Sequence, residues 1–150
     1  MQITKYEPIH KEAIKTLNYE WLQKYFSIEP IDEKVLSNPE EEIIKKGGQV
    51  LYAWHNDEIV GTVSLMRMDD EACELTKMAV TASAQGLGIG SKLMDAALNE
   101  AKALGYKKVI LYTSTKLGPA LNLYKKYGFA EIPKGETEYQ RCDIVFEKAL

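Results

Sequence analysis

Cysteine and histidine are scarce in this chain, with two of each among 150 residues. Cys73 and Cys142 are too few for a disulfide framework, and neither residue type shows the spacing of zinc or haem ligands, so no metal site is expected. Long apolar runs are also missing. Stretches such as Val109 to Tyr112 fall far short of the roughly 20 residues a membrane helix needs, so no membrane partner is expected. The opening MQITKYEPIHKEAIK lacks the basic-then-apolar order of a secretory leader. Neither sign of charge dominates. Nineteen Lys+Arg stand against 22 Asp+Glu, for a formal charge of -3, which leaves no basic stripe for a polyanion and makes nucleic acid an unexpected partner. Together these absences predict a reduced, cytoplasmic protein, and the length suits one domain over residues 1–150. Oligomeric state is not legible; a homodimer is left open.

What is present is a sequence whose hydrophobic period changes along its length. A β-prone piece at Ile3 to Tyr6 precedes Ile14, Leu17, Trp21, Leu22 and Tyr25 at helical spacing, predicting one or two amphipathic helices before Pro30. Pro39, three glutamates, then Lys45, Lys46 and Gly47 predict a short helix aligned with its dipole. Gln49 to His55 and Ile59 to Met68, joined by Asn56-Asp57, read as a hairpin, and Cys73 to Val80 as a third antiparallel strand. From Gly86 onward the period becomes helical through Leu104, ending at Gly105. Lys107 to Thr113 reads as a strand flanked by helical patterns, and Leu117, Ala120, Leu121 and Tyr124 as one face of a helix that stops at Gly128. Phe129 to Ile132 and Tyr139 to Lys148 would supply the last strands around a loop at Pro133 to Glu138. The order β, α, α, β, β, β, α, β, α, β, β describes a mixed α/β sheet.

The most informative stretch is Gln85-Gly86-Leu87-Gly88-Ile89-Gly90-Ser91, between a predicted strand and a predicted helix. Glycines let backbone N–H groups approach a ligand unhindered, and the first turn of a helix presents unpaired N–H groups at its positive end, which suits a pyrophosphate. The loop is neither of the two common phosphate loops. A Gly-Lys-Ser/Thr does not follow Gly86 at the nucleotide-triphosphate spacing, and Ser91 stands where a dinucleotide loop has its third glycine.

With Leu75 to Val80 before it and an amphipathic helix after it, Gln85-x-x-Gly88-x-Gly90 resembles the acetyl-CoA signature of the GNAT superfamily of N-acetyltransferases. Ala120-Leu121-Asn122-Leu123-Tyr124-Lys125-Lys126-Tyr127-Gly128-Phe129 resembles the same superfamily's second cofactor-side motif. The resemblance implies a mixed, mostly antiparallel sheet whose fourth and fifth strands splay apart around acetyl-CoA as co-substrate. It places Gln85, Gly86, Leu87, Gly88, Ile89, Gly90 and Ser91 on the pyrophosphate, and the backbone of Met78, Ala79 and Val80 on the pantetheine arm. Many members carry Asn seven residues before the helix tyrosine; this chain has Leu117 there, and Asn122 elsewhere on the helix as an alternative cofactor contact.

Acetyl transfer to an amine needs a neutral nucleophile, an oxyanion donor and a proton for the departing thiol. Glu74 begins the central strand and by alternation shares a face with Thr76, Met78 and Val80, where apolar neighbours would raise its pKa toward that of a base. It also falls where some superfamily members place a glutamate base. Tyr124 faces inward with Leu117, Ala120 and Leu121, and the resemblance makes it the general acid. Asn18, Trp21, Tyr25 and Glu29, with Arg67 on the hairpin, are candidate acceptor contacts; Glu29 or Asp32 would suit an ammonium group, Arg67 a carboxylate. The expected function is N-acetylation of a small-molecule primary amine by direct transfer in a ternary complex. The alternatives are a protein or peptide N-acetyltransferase and a non-catalytic acyl-CoA-binding module.

Overall fold

The computed structural model describes residues 1–137 and 139–150. Strands β1 (Gln2–Lys5), β2 (Gln49–His55), β3 (Glu58–Arg67), β4 (Ala72–Val80), β5 (Lys108–Thr113), β6 (Ala130–Ile132) and β7 (Ile144–Ala149) form one sheet in the order β1-β2-β3-β4-β5-β7-β6. Its helices are α1 (Lys11–Tyr25), α2 (Pro30–Ser37), α3 (Ile89–Ala103) and α4 (Gly118–Lys126). Every neighbouring pair of strands is antiparallel except β4 with β5. A parallel neighbour requires a crossover, and α3 supplies it. None of the described helices is long and apolar enough to cross a membrane.

Two layers of helix cover the sheet. On one face, Leu93, Met94 and Ala97 of α3 pack with Leu51, Val63, Leu75 and Leu111 from the strands, and Tyr124 and Phe129 extend this core toward α4. Each fully buried Leu or Ile there contributes about 1.5–3 kcal/mol. The helix stops where the pattern predicts: Gly105 is left-handed at φ 91°, its N–H reaches Lys102 O at 3.0 Å, and Tyr106 N–H reaches Ala101 O at 3.1 Å. On the opposite face Ile14 and Leu22 of α1 and Val35 and Leu36 of α2 pack on Val50 and Tyr52.

Three expectations need correction. α1 stands before Pro30 as expected, but the helix between Pro30 and Gly48 starts at Pro30 and not after Pro39, because proline's fixed φ and missing N–H suit the first helical position. The acid-first segment after Pro39 is only one wide turn, Glu40–Ile44, closed by Lys45 N–H to Glu40 O at 2.8 Å. The last strand begins at Ile144, not Tyr139. Tyr139 and Cys142 are buried in a small cluster with Val145, and Arg141 is drawn sideways to α2, so this segment crosses the sheet end instead of extending it. Glu138, at the end of the predicted loop, lies outside the described residues.

The element that shapes the site is the split between β4 and β5. Among the described residues their pairing comprises Ala72↔Lys108, Cys73↔Val109 and Glu74↔Ile110, and beyond Glu74 the strands part. On its other side β4 carries a bulge: Thr62 pairs with Ala79 but Ser64 with Thr76, so two β4 residues oppose Val63. Lys77 sits in this bulge at φ 56°, a conformation that costs a non-glycine residue on the order of 1–3 kcal/mol. Asn18 secures it, its buried amide donating to Lys77 O at 3.1 Å and to Ile14 O at 2.9 Å.

Candidate active site

The bulge overturns the expected alternation of β4. Cys73 and Leu75 face the α3 core, but so do Met78 and Val80, which strict alternation would have put on the opposite face. Lys77 joins Thr76 in facing α2, its Nζ 3.1 Å from Asp32 Oδ1. Glu74 therefore does not share a face with Met78 and Val80. It lies on the α2 side, at the vertex where β4 and β5 begin to part.

A cavity of about 270 Å³ passes through the gap between the splayed strands. Residues of both layers line it: Asn18, Trp21 and Tyr25 from α1, and Leu117, Ala120 and Tyr124 from the α4 side. Met78, Ala79 and Val80 form one wall, and Gln85 stands at its mouth. Among the described residues no strand pairs with β4 across this gap beyond Glu74, so an extended ligand could take the backbone groups there. Gly86 and Gly88 are left-handed, at φ 86° and 76°, and nothing lies within 4 Å of where a Cβ would stand on either. The loop thus has open space over it. It leads into α3 with Gly88 as N-cap, so the first-turn N–H groups from Ile89 through Ser91 lead the helix there.

Tyr124 is buried, its ring against Phe129 and Phe146 at centroid distances of 6.2 and 6.0 Å. Burial pushes its hydroxyl above the ordinary tyrosine value and a hydrogen bond with Thr113 pulls the other way, so the group stays protonated at neutral pH. Cys73, a possible acyl carrier by composition alone, is buried, and burial pushes its thiol up to about 12.

Beside the gap, on the α2 face, lies an ion cluster that the sequence did not disclose. Asp32 is fully buried; it accepts Arg141 Nη1 and Nη2 at 2.8 Å each, Lys77 Nζ at 3.1 Å and Glu29 N–H at 2.9 Å. Burial alone would raise Asp32, but the Arg141 bonds and the Lys77 charge outweigh it and hold the carboxyl below its ordinary range. Arg141 also bonds Glu29 at 3.0 Å and lies over the Phe26 and Tyr139 rings. The cluster ties the start of α2 to the segment between β6 and β7. Two of the candidate acceptor contacts are therefore engaged: Glu29 in this tie, and Asp32 in its centre.

The other candidates divide. Trp21 and Tyr25 line the cavity, with Trp21 Nε1 donating to Asn18 Oδ1 at 3.3 Å. Arg67 pairs with Asp70 at the rim of a second cavity, of about 500 Å³, which Glu74 also lines. Asn122 lies on the exposed face of α4 and is not among the cavity's lining residues. Lys77, Thr113, Ser114, Tyr139 and Arg141 line the cavity but were not singled out from sequence. The one available signal was Lys77, the sole charge between Leu75 and Val80.

The family model for the acetyltransferase (GNAT) family matches residues 14–129. The chain belongs to this family. Within it, a mycothiol acetyltransferase of Corynebacterium glutamicum (strain R) is 33% identical over 96 residues, 64% of this chain and 32% of its own length. The uncharacterized N-acetyltransferase YvbK of Bacillus subtilis (strain 168) is 31% identical over 101 residues, 65% of each chain. The chain thus spans about a third of the first relative and somewhat under two-thirds of the second. A GNAT family acetyltransferase structure from Staphylococcus aureus Mu50 superposes with a TM-score of 0.88 at 27% identity, covering 99% of this chain and 98% of the other. A GNAT family acetyltransferase from Elizabethkingia anophelis, solved with acetyl-CoA bound, gives 0.64 at 25% identity over 99% and 97%. The whole seven-stranded fold, from β1 to β7, is accordingly of the kind found in these GNAT structures.

Proposed function

We propose that this GNAT chain transfers the acetyl group of acetyl-CoA to a primary amine of a small molecule, with both substrates bound together. The observation that carries the reading is the through-sheet cavity, with the Tyr124 hydroxyl on its α4 side and Glu74 on the opposite face, at the vertex. Acetyl-CoA, when bound, supplies an activated thioester. Gln85 to Ser91 would hold its pyrophosphate, with the open space over Gly86 and Gly88 as the fit, and the free edge of Met78, Ala79 and Val80 would hold its pantetheine arm. Glu74 takes the proton that the acceptor amine must lose, and Tyr124 donates one toward the departing sulfur. A compact acceptor is favoured over an extended peptide by the tie from Glu29 and Asp32 to Arg141, which spans from α2 to the β6–β7 segment.

Thiol release from acetyl-CoA with spermidine, tyramine, lysine and an unblocked hexapeptide tests the acceptor class. Turnover with a free amine is the expected result; reaction confined to the hexapeptide would replace the small-molecule reading. Tight acetyl-CoA binding without product from any of the four would point to a binding module.

The cofactor assignment has its own test. Gly90 has an ordinary φ, and a Cβ there would meet only Leu123 Cδ2 at 3.8 Å, so Gly90→Val leaves the fold intact while crowding the ligand. Calorimetric titration should show acetyl-CoA affinity reduced about tenfold or more, roughly 1.4 kcal/mol, with Tm within about 2 °C of wild type. Gly88→Val should also lower Tm, because its backbone is left-handed. Unchanged affinity in folded Gly90→Val would remove the loop from the cofactor site.

A further inference from the structure

Tyr139 stands where the two cavities meet. Among the described residues it and Tyr112 are the only ones that line both the through-sheet cavity and the larger one on the α2 face, and their rings lie 6.2 Å apart. Glu74 lines the second cavity and not the first. A base at Glu74 and a reaction in the gap therefore need a connection, and the Tyr139 side chain fills that position. It is 8% exposed, so water has little access to replace it.

Its hydroxyl is wired at both ends. Lys77 Nζ donates to Tyr139 Oη at 3.4 Å and also lies 4.6 Å from the ring centroid. Thr76 Oγ1 is 3.5 Å from the same oxygen, and Glu74, two places earlier on β4, lines the second cavity together with Tyr139, its charge adding to the upward push on the hydroxyl's pKa. A phenol has one proton to give and two lone pairs to accept with. Accepting from Lys77 leaves the phenolic proton to give toward Glu74 and one lone pair to accept with, and the loose Thr76 contact is the one an incoming N–H could displace.

We propose that Tyr139 relays the proton of the acceptor's ammonium group to Glu74. The proposal rests on the reading of Glu74 as the base. In the relay an N–H bond of the ammonium breaks as its proton joins Tyr139 Oη, while the phenolic proton leaves Oη for a carboxylate oxygen of Glu74. The products are a neutral amine, a regenerated tyrosine and a neutral Glu74, so charge and protons balance. Tyrosine stays protonated before and after, in keeping with the upward push that burial and the Glu74 charge give its pKa. The fixed Lys77 cation, itself anchored by Asp32, offsets negative charge on Oη during the exchange.

Several charged groups face this pair. Lys77 and Asp32 approach from β4 and α2, Arg141 from Tyr139's own segment at 5.1 Å from the ring, and Tyr112 from β5. Around the second cavity, Glu42 is paired with Lys34 and Lys46, and Arg67 with Asp70, while Glu136 lies on the exposed rim.

The test compares Tyr139→Phe, Glu74→Gln and the double variant, with acetyl-CoA and each of spermidine, tyramine, lysine and the hexapeptide. Glu74→Gln should lower kcat/KM about 10²-fold at neutral pH, and Tyr139→Phe about 10-fold to 10²-fold. The double variant should be no slower than Glu74→Gln alone, and both single losses should shrink as pH rises toward the amine's own pKa. Losses that multiply, or a wild-type pH profile in Tyr139→Phe beside an impaired Glu74→Gln, would overturn the relay and leave the base in place. A wild-type profile in Glu74→Gln would overturn both. A second measurement needs no turnover: in protein carrying 13C-tyrosine, the Tyr139 Cζ resonance should show an acid titration step that Glu74→Gln abolishes. Absence of that step in the wild type would overturn the relay whether or not any of the four amines reacts.

Discussion

Asp32→Ala is expected to lower the free energy of unfolding by about 3–5 kcal/mol at pH 7. The residue has no exposed surface and accepts from Arg141, Lys77 and the Glu29 N–H. Removing it leaves the Lys77 ammonium, whose side chain is 3% exposed, without its anion, and that uncompensated charge is the main cost. Asp32→Asn, which keeps the shape and an oxygen for the Glu29 N–H, should cost less than the alanine variant but still more than about 1 kcal/mol. Urea unfolding of the three proteins measures this; a midpoint unchanged in Asp32→Ala would mean that Lys77 and Arg141 find other partners. The pH dependence has a definite sign. The carboxyl's folded pKa is held below its unfolded value of about 3.9, so its contribution is complete above about pH 4–5 and is lost as pH falls through the folded value. Wild type should therefore lose stability below pH 4 more steeply than Asp32→Asn.

Tyr124→Phe should lower kcat by roughly 10-fold to 10³-fold while leaving acetyl-CoA affinity nearly unchanged. The ring's contacts with Phe129 and Phe146 survive the substitution, and only the hydroxyl and its bond with Thr113 are lost. A thiol of pKa about 8.5 leaving into a buried cleft gains from a nearby donor, and the gain grows as charge develops on sulfur, which puts the effect in kcat. Steady-state kinetics on an amine that turns over, beside calorimetric titration of the folded variant, separates the cases. A wild-type rate would remove Tyr124 as the acid. Lost affinity at unchanged kcat would assign the hydroxyl to holding the cofactor.

The glycine loop and the α4 tyrosine were legible as local structure because their signals are local. A left-handed glycine loop opening a helix, and an inward tyrosine two turns on from Leu117, are properties of a few consecutive residues, and in the structure Gly88 is left-handed and Tyr124 is buried. Local reading failed at β4. Period-two alternation assumes an unbroken ladder, and one inserted residue at Lys77 reverses which side every later residue faces. Nothing in Leu75-Thr76-Lys77-Met78 requires a bulge. It is held by Asn18, 59 positions away, and by Asp32, 45 positions away.

From the sequence alone came the order of elements, the mixed sheet, the phosphate-suited loop and the tyrosine on α4, because hydrophobic period and glycine stereochemistry act over one or two turns of chain. Only the tertiary structure decided what surrounds each carboxylate. Glu29, Asp32 and Glu74 are equivalent as letters. Packing puts Asp32 between buried Lys77 and half-buried Arg141, ties Glu29 to Arg141 across 112 positions, and sets Glu74 at the vertex, lining the second cavity with Tyr139. An acid's role depends on what surrounds it, and those surroundings come from segments that meet only when the sheet closes and β4 and β5 part.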